Sequence, residues 1–520
     1  MDLEKLDQIY SKITPFKNLW AEEKKKTDKS VLLKMLDFKT GGFRGIMREG
    51  LNGINDVTIN ILASELSQMC NSLVLGFDHR ENSDRFAYIF GKIFTMKNKK
   101  IDVFRLCTTP YLAMESQLYD FGIMITASHN SKEYNGVKIY CSGSQISSEV
   151  AKKIKEKMLD CNFTEIYLRN ENSSNFLDSD WRHELEKITI PTDFKKYFSN
   201  FRFNFQKTEH KITPIFSAMH GVSCPFIQEA CNHFGMKINV ASRYNRIDSS
   251  FADLKFPNPE IEENWRLLYK EMIPEQKDQN HFLFACDPDG DRFGMARVKN
   301  GELIIYNANT IAKIFLWYFL KTCSPEDMIM VNTFLCDDFF EMISKKHGIK
   351  YKKTATGFKN ITKGIRELLE MDSKDFSIKE IRPYKKIVVA YEDPLGYILG
   401  TMKEKDGVIA SVLMYHILQK YDLSDIFEEL ASYGTFNSYT VHLRLENPEE
   451  ILKKVVESKS FEKVYDAFVL EEDEIELRLR LSGTESMIKI YAFSSRKGDE
   501  ILRNEVDWWI LKHILCYCRE

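Results

Sequence analysis

Short apolar runs that end in polar loops recur along most of the chain. Between them lie stretches with apolar residues three and four positions apart, such as SELSQMCNSL (64–73) and NITKGIRELLEM (360–371), which predict helices. Near-continuous apolar strands that alternate with helices are typical of α/β domains with buried parallel or mixed sheets, and ligands collect at the carboxyl ends of such strands. The runs are SLVLGFDHR (72–80), GIMITASHN (122–130), PIFSAMHG (214–221), FLFACDPDGDR (282–292) and KIVVAYEDPLG (386–396).

After about residue 425 the chain changes to an alternation of apolar and polar residues. The stretches SYTVHLRLE (438–446), KVYDAFVLEE (463–472) and EIELRLRLSGTESMIKIYAF (474–493) show this period. It is typical of half-exposed antiparallel strands, because successive side chains on a strand point to opposite faces. The pattern predicts a smaller α+β domain at this end, closed by the apolar helix VDWWILKHILCYC (506–518).

Size and charge restrict the class of protein. A chain of 520 residues is expected to form three or four domains at roughly 100–200 residues each. The net charge is only −3, so no basic field predicts binding to nucleic acid or to an anionic membrane. The chain shows neither an apolar stretch of about 18 residues nor a signal peptide at its start. Its 11 cysteines are scattered without paired spacing, and we therefore expect a cytoplasmic protein with reduced thiols.

Three aspartates stand two positions apart in the stretch CDPDGDRF. On an extended segment Asp287, Asp289 and Asp291 would point to one face, where their charges repel each other unless a cation lies between them. Oxygen ligands favour Mg²⁺ or Ca²⁺, but Arg292 and Val298 stand where an EF-hand needs Gly and Glu. An acidic turn is the alternative, since Asp, Pro and Gly are turn residues. An octahedral Mg²⁺ bound here would still need further ligands, such as a phosphate oxygen.

The stretch RLSGTES, between two alternating segments, is rich in hydrogen-bond donors. Arg480 can bind a phosphate with two parallel hydrogen bonds, and Ser482, Gly483 and Thr484 add hydroxyl and backbone donors. An ordinary hairpin turn is the alternative, because Ser-Gly-Thr also suits a turn. The interpretation as a phosphate site therefore depends on the other loops.

Two further loops have equally open interpretations. Glu392 and Asp393 follow an apolar run, and their carboxylates could accept hydrogen bonds from sugar hydroxyls or cap the next helix. Arg44 lies among glycines in FKTGGFRG, where it could approach an anion or belong to a plain glycine turn.

Ser128 stands next to His129 at the end of an apolar run. Adjacent residues on an extended segment point to opposite sides, so His129 is not expected to act on Ser128 as the base of a hydrolase triad, and the GxSxG elbow is missing. A serine that carries a phosphoryl group fits better, because a phosphoserine would supply the oxygen ligand that the aspartate loop lacks. Lys138 could carry a proton if cationic neighbours lower its pKa; a solvated surface lysine is the alternative.

Taken together, these loops resemble the α-D-phosphohexomutase family, which comprises enzymes of the phosphoglucomutase and phosphomannomutase type. The resemblance runs from about residue 38 to 491 with the motifs in family order, and TASHN followed by DPDGDR is a specific signal. The blocks AMHGV, FPNPE and TGFK are most similar to the phosphoglucomutase 2 and phosphopentomutase branch. The matching stretches are FKTGGFRG (38–45), TASHN (126–130), NGVK (135–138), AMHGV (218–222), FPNPE (256–260), DPDGDR (287–292), TGFK (356–359), YEDPLG (391–396), KDGV (405–408) and RLSGTES (480–486).

The resemblance implies an architecture of four domains in a heart shape around a central cleft. Three would be mixed-sheet α/β domains and the fourth a smaller C-terminal α+β domain. We place the phosphoserine loop in a first domain at 1–195 and the metal loop in a second at 196–306. The sugar-binding loop falls in a third domain at 307–425 and the phosphate-binding loop in a fourth at 426–520.

The resemblance also implies a reaction, the interconversion of glucose 1-phosphate and glucose 6-phosphate through a phosphoserine and a bisphosphate intermediate. It implies Mg²⁺ and a sugar bisphosphate primer such as glucose 1,6-bisphosphate as cofactors, sugar phosphates as partners, and a monomer or homodimer. The implied catalytic residues are Ser128, Lys138, His129 and Arg44; the substrate-binding residues are Glu392, Asp393, Arg292, Lys359, Arg480, Ser482, Gly483 and Thr484; and the metal ligands are Ser128, Asp287, Asp289 and Asp291.

Three departures from the family pattern keep the substrate open. Ser131 replaces the frequent proline after SHN, Lys39 replaces a common glycine, and Pro394 replaces a serine of the sugar loop. Pro394 removes a hydroxyl and a backbone donor. The alternatives are a phosphopentomutase acting on ribose 1-phosphate and ribose 5-phosphate, a phosphomannomutase, a bisphosphate-sugar synthase, and a sugar-phosphate-binding regulator without catalysis.

Overall fold

The chain folds into two compact units in the computed structural model, which describes residues 3–11, 14–36, 42–160, 180–201, 211–272, 280–371, 381, 383–482 and 486–518. Unit 1 comprises residues 1–306, 371–385 and 395–419. Unit 2 comprises residues 307–370, 386–394 and 420–520. Within the described ranges, no helix is both long enough and apolar enough to cross a bilayer.

The first sheet of unit 1 is mixed and has the strand order β1-β5-β4-β2-β3, with β6 paired to β5. Strand β2 runs parallel to β3 and β4, whereas β5 is antiparallel to β4 and β1. Because β2 and β4 are parallel, the loops after Phe77 and Ile125 leave the same edge of the sheet. The strands are β1 Gly42–Ile46, β2 Ser72–Phe77, β3 Lys100–Arg105, β4 Phe121–Ile125, β5 Tyr134–Cys141 and β6 Ser144–Gln145.

Helices cover the first sheet and bury its apolar strands. Every residue of β2 is buried. Asn55 caps the helix Asp56–Met69, and its side-chain oxygen accepts a hydrogen bond from the Thr58 N–H. The apolar faces of most of these helices and of the strands form one core. The helices of this part are Leu3–Ser11, Thr14–Lys26, Lys29–Leu32, Asp56–Met69, Ser83–Met96, Thr109–Glu115, Ser148–Asp160, Trp181–Lys187 and Phe194–Ser199, with a 3₁₀ turn at Ser116–Leu118.

The second sheet of unit 1 has the order β11-β10-β9-β7-β8. Its strands are β7 Ile215–Ser217, β8 Asn239–Val240, β9 His281–Cys286, β10 Phe293–Lys299 and β11 Glu302–Tyr306, and its helices are Ser223–Phe234 and Glu262–Glu271. Strand β9 is parallel to β7 and antiparallel to β10. The aspartate loop therefore connects two neighbouring antiparallel strands.

In unit 2 a parallel sheet contains β12 Met328–Thr333 between β13 Lys350–Thr354 and β14 Ile387–Glu392. The helices of this part are Ala308–Thr322, Phe339–His347, Phe358–Leu368 and Leu423–Ala431, with a 3₁₀ turn at Pro325–Asp327. The chain contributes β15 Gly396–Gly400 and most of the helix Gly407–Lys420 to unit 1.

The C-terminal sheet of unit 2 is antiparallel throughout, with the order β16-β20-β19-β18-β17. The apolar faces of two helices and of the strands share a core. The predicted fold class, mixed-sheet α/β domains followed by a smaller α+β domain, is confirmed, whereas the four domain boundaries stay a prediction. The elements are β16 Asn437–Arg444, β17 Glu462–Val464, β18 Ala467–Glu472, β19 Ile475–Leu481, β20 Met487–Ser494, the helices Pro448–Ser458 and Asp499–His513, and a 3₁₀ turn at Leu515–Cys518.

Candidate active site

Ser128 is buried in the loop that follows β4. Its backbone φ of 55° lies in the left-handed region, which a serine seldom adopts. This turn brings the Ser128 Oγ to 3.1 Å from the His129 Nδ1. The prediction that the two side chains point to opposite sides is therefore wrong, because it assumed an extended backbone.

The carboxylates of Asp287, Asp289 and Asp291 converge as predicted, with one oxygen from each within 4.8 Å of the others. They do so on a turn and not on an extended segment. The Gly290 N–H donates to the Asp287 carbonyl over 2.9 Å, and Gly290 has a φ of 69°, which favours glycine. All three aspartates are buried, so their mutual repulsion is weakly screened.

This cluster fits a hard divalent cation. The Oδ1 atoms of Asp289 and Asp291 are buried and have no hydrogen-bond partner among the described residues. Burial, followed by the two neighbouring carboxylates, raises the pKa of Asp287 well above its usual range. The Ser128 hydroxyl donates to the Asp287 Oδ2 over 2.7 Å, which adds a fourth oxygen. An all-oxygen set of this kind is what Mg²⁺ prefers.

Lys138 is buried on β5, which rules out the alternative of a solvated surface lysine. Its Nζ lies 2.6 Å from the Asp289 Oδ2 and 2.6 Å from the Asp291 Oδ2. Burial lowers the pKa of Lys138, but the two carboxylates outweigh burial and the net direction is upward. The cationic neighbours Arg44 and Lys405 do lower the pKa of Lys138, but the carboxylates outweigh them too, so the expected net lowering is not found. The ammonium is therefore suited to donate a proton rather than to accept one.

The two arginines predicted near the phosphoryl group have different surroundings. The Arg292 Nη1 donates to the Glu260 Oε2 over 2.8 Å. Arg44 lies in β1 opposite Gly136 and not in a glycine turn, since the strand pairs with β5. Its Nη1 is 3.5 Å from the Asn130 Oδ1, so it reaches the loop that carries Ser128.

Two glycines allow other segments to pack against the aspartate loop. A Cβ on Gly221 would lie 2.3 Å from the Pro288 Cα, and a Cβ on Gly407 would lie 2.1 Å from the Arg292 carbonyl oxygen. The Gly407 N–H donates to the Gly290 carbonyl over 3.0 Å. These close approaches explain the glycines of AMHGV and KDGV.

The other predicted site residues lie in unit 2. Glu392 is the last residue of β14, and both it and Asp393 are buried. Lys359 is in the first turn of the helix Phe358–Leu368. The Arg480 Nη2 on β19 is 3.3 Å from the Asp466 Oδ2, and Ser482 follows that strand. Gly483 and Thr484 lie outside the described residues.

Three family models for successive domains of phosphoglucomutase/phosphomannomutase match this chain. They are described as alpha/beta/alpha domain I, matched at residues 35–165, domain II at 193–300 and domain III at 307–433. These matches together cover more than half of the chain. The chain belongs to the phosphoglucomutase/phosphomannomutase family. As a member, it is an enzyme of the isomerase class that acts by phosphoryl transfer.

Relatives of this phosphomutase carry more than one substrate name. It is 27% identical over 506 residues to a phosphoglucomutase of Staphylococcus aureus strain N315, covering 88% of this chain and 89% of the relative. It is 26% identical over 561 residues to a "Probable phosphoribomutase" of Schizosaccharomyces pombe, covering 94% and 92%. A crystal structure of a family protein from Burkholderia thailandensis superimposes with a TM-score of 0.65 at 17% identity, covering 92% and 96%, and supports the fold alone.

The phosphomutase site includes residues that the sequence did not single out. The Thr109 Oγ1 donates to the Asp289 Oδ2 over 2.6 Å, and the Lys405 Nζ is 3.6 Å from the Asp291 Oδ1. The motifs FPNPE and KDGV were signals for Glu260 and Lys405, but they indicated no partner. Thr109 is the first residue of the helix Thr109–Glu115, and no sequence motif around it indicates a contact with the aspartate loop.

Proposed function

We propose that this phosphomutase interconverts glucose 1-phosphate and glucose 6-phosphate through a phosphorylated Ser128 and a glucose bisphosphate. The observation that carries the proposal is the 2.7 Å hydrogen bond from the Ser128 Oγ to the Asp287 Oδ2. It joins the one serine of TASHN to a buried carboxylate cluster suited to a divalent cation. A phosphoryl group on this oxygen would lie beside Lys138 and a bound divalent cation, which can balance its negative charge.

The first step transfers the phosphoryl group from Ser128 to the sugar. The bond between the Ser128 Oγ and phosphorus breaks, a bond between phosphorus and the free sugar hydroxyl oxygen forms, and the hydroxyl proton moves to Lys138, where it replaces the proton that this residue donates. Lys138, held by Asp289 and Asp291, returns a proton to the departing serine oxygen as the general acid. Arg44 and His129 stabilise the loop oxygens around it.

The second step is the reverse transfer from the other end of the bisphosphate. The bond between phosphorus and the second sugar oxygen breaks, the bond to the Ser128 Oγ forms again, and the Ser128 hydroxyl proton moves by way of Lys138 to the freed sugar oxygen, which leaves the isomeric monophosphate. For this the sugar must bind in both orientations. We assign its hydroxyls to Glu392 and Asp393. The phosphate that is not transferred we assign to Lys359, Arg480, Ser482, Gly483 and Thr484.

Asp287, Asp289 and Asp291, with the oxygen of Ser128, would hold Mg²⁺. When bound, Mg²⁺ neutralises charge on the transferring group. Arg292, oriented by Glu260, adds a second positive charge next to this loop. Glucose 1,6-bisphosphate would phosphorylate Ser128 in enzyme molecules that lack the phosphoryl group. We also propose the cytoplasmic location that the sequence predicts.

A phosphopentomutase is the second candidate. One relative is named a phosphoribomutase at nearly the same identity as the phosphoglucomutases, and Pro394 removes polar groups from the sugar loop. Turnover on glucose 1-phosphate, mannose 1-phosphate and ribose 1-phosphate, each with Mg²⁺ and its bisphosphate primer, separates these candidates from a phosphomannomutase. Net accumulation of a sugar bisphosphate would identify a synthase. Binding of sugar phosphates without turnover would instead identify a regulator and contradict the proposal.

A further inference from the structure

Every N–H of the Arg80 guanidinium donates a hydrogen bond. Four of these bonds go to carbonyl oxygens of the segment that carries Ser128, and one goes to an aspartate. Its Nη2 donates to the carbonyl oxygens of Ser128 at 2.6 Å and Asn130 at 2.7 Å. Its Nη1 donates to those of Ser131 at 2.8 Å and Tyr134 at 3.0 Å. The remaining Nε–H donates to the Asp78 Oδ2 at 3.2 Å. An arginine side chain has five N–H donors, so the set is complete.

This arrangement depends on the shape of arginine and not only on its charge. The four carbonyl oxygens converge on one planar group because the chain turns sharply at Ser128, where φ is 55°. Carbonyl oxygens gathered in this way repel each other unless a donor lies between them. A lysine has three donors on one atom and could not serve four carbonyls and a carboxylate together.

Asp78, the carboxylate partner of Arg80, is also linked to the Ser128 backbone by hydrogen bonds through Thr126. The Asp78 Oδ2 accepts a hydrogen bond from the Thr126 hydroxyl over 2.7 Å. The Thr126 Oγ1 in turn accepts the Ser128 N–H over 2.8 Å. The Ser128 N–H and carbonyl are therefore both tied to the Asp78–Arg80 ion pair, in which both side chains are fully buried.

An aromatic ring covers the guanidinium. The centre of the Phe251 ring is 4.7 Å from the Arg80 Cζ. Phe251 belongs to the segment after β8, beside the His79 ring at a centroid distance of 5.0 Å. A cation held between a ring and five acceptors has little freedom to move.

We propose that Arg80 is the positioning residue that fixes the Ser128 Oγ for phosphoryl transfer, a role that rests on the proposed function of Ser128 as the phosphoryl carrier. It acts through the backbone of residues 128–134 and does not contact the sugar. Because both transfer steps use the same oxygen, loss of the clamp slows both equally. Substrate binding by other residues stays intact.

The test compares Arg80→Lys with Arg85→Lys. Arg85 is the control because it too is paired with an aspartate, Asp56, in the same part of the fold, and its side chain is largely buried. The phosphoenzyme is mixed with glucose 6-phosphate, and the unphosphorylated enzyme with glucose 1,6-bisphosphate, and each single transfer is timed. We expect Arg80→Lys to slow both transfers about 100-fold with a change in KM below about threefold, and Arg85→Lys to match the wild type.

Several outcomes would overturn the assignment. The assignment is wrong if Arg80→Lys melts cooperatively and its transfer rates stay within about threefold of the wild type. It is also wrong if the substitution changes only KM and leaves the transfer rates as they are. If Arg80→Lys does not melt cooperatively, Phe251→Leu replaces it and should slow both transfers about two- to fivefold; wild-type rates would reject the clamp.

Failure of the proposed function gives a different result. A wild-type protein that turns over no sugar phosphate contradicts the role of Ser128 itself. Amide hydrogen exchange over residues 126–134 then tests the clamp alone. Faster exchange in Arg80→Lys than in Arg85→Lys supports it, and equal exchange overturns it.

Discussion

The Ser128 Oγ donates a hydrogen bond to the Asp287 Oδ2 over 2.7 Å although the two residues are 159 positions apart. Ser128 follows a strand of the first sheet of unit 1, and Asp287 follows a strand of the second. The Thr109 side chain makes a second such link to Asp289. The reactive oxygen and the carboxylate cluster are therefore brought together by loops from two different sheets and not by a local motif.

Replacement of Ser128 by alanine should abolish turnover while the fold remains. Loss of a nucleophile lowers kcat by about 10⁴-fold or more, whereas a single hydroxyl contributes about 1 kcal/mol to stability. Intact-mass measurement should show a wild-type fraction heavier by one phosphate that Ser128→Ala lacks. Ser67→Ala is the control, because the Ser67 hydroxyl donates to the Ser64 carbonyl within a helix. Retained activity in Ser128→Ala would exclude a phosphoserine mechanism.

Two aspartates of the same cluster should respond to Asn substitution in opposite directions when Mg²⁺ is removed with EDTA. Burial and two neighbouring carboxylates raise the pKa of Asp287, so Asp287→Asn should raise the free energy of unfolding by about 1–2 kcal/mol. Although burial acts to raise the pKa of Asp289, its contact with Lys138 lowers it overall. Asp289→Asn breaks that pair and should cost about 2–3 kcal/mol.

Urea denaturation with and without Mg²⁺ measures both effects. In the wild type Mg²⁺ should stabilise the fold by mass action, and each variant should lose most of that gain. Equal destabilisation by the two substitutions in EDTA would contradict the assigned electrostatics.

The stability of the metal-free protein should fall as pH rises from about 5 to about 8. Burial first, and then Asp291, raise the pKa of Glu404 to about 8. The folded state therefore holds a proton that the unfolded state has released above pH 4–5. Stabilisation by this proton is complete below the unfolded pKa and is lost as pH rises through the folded pKa.

Glu404→Gln should flatten this dependence by up to about 1.4 kcal/mol per pH unit. The control is Glu457→Gln at an exposed position on a surface helix, which should leave the slope as it is. Denaturation in EDTA at pH 5, 6.5 and 8 measures the effect. A slope in Glu404→Gln equal to that of the wild type would show that Glu404 is charged in the fold.

Arg480→Ala should raise KM for the sugar monophosphate about 10- to 100-fold, since a hydrogen bond to a charged phosphate is worth about 1.5–3 kcal/mol. Arg480 is largely buried beside Asp466, which orients it for such a contact. Arg496→Ala is the control, because Arg496 is exposed and pairs with Glu474. Steady-state kinetics decides the matter: an unchanged KM would remove Arg480 from the phosphate site.

The parts of the site that the sequence predicted are those encoded locally. The strands ending at Ile125 and Cys286 are buried apolar runs, and burial follows directly from composition. The three aspartates could be grouped because closely spaced carboxylates require a cation. The alternation after residue 425 likewise gave the antiparallel sheet.

The parts that were missed depend on backbone turns and distant partners. The contact between Ser128 and His129 needs a left-handed φ, which a pattern of residue types does not reveal. Arg44 was expected in a glycine loop, yet pairing with β5 makes the segment a strand. Arg80 looks like any arginine after GFDH, since its carbonyl partners lie 48 to 54 positions later.

The contact of Gly407 with the aspartate loop has a consequence for how the protein is made. The chain leaves unit 1 at Tyr306, returns to it briefly at 371–385, and contributes Gly407 only in the later segment Leu395–Gln419. On the ribosome, the loop with its three aspartates is therefore synthesised long before the glycine that packs on it. A nascent chain ending near Tyr306 holds Ser128 and the aspartates but cannot complete their enclosure. Catalytic competence should thus appear late in translation, after the chain has passed Gly407.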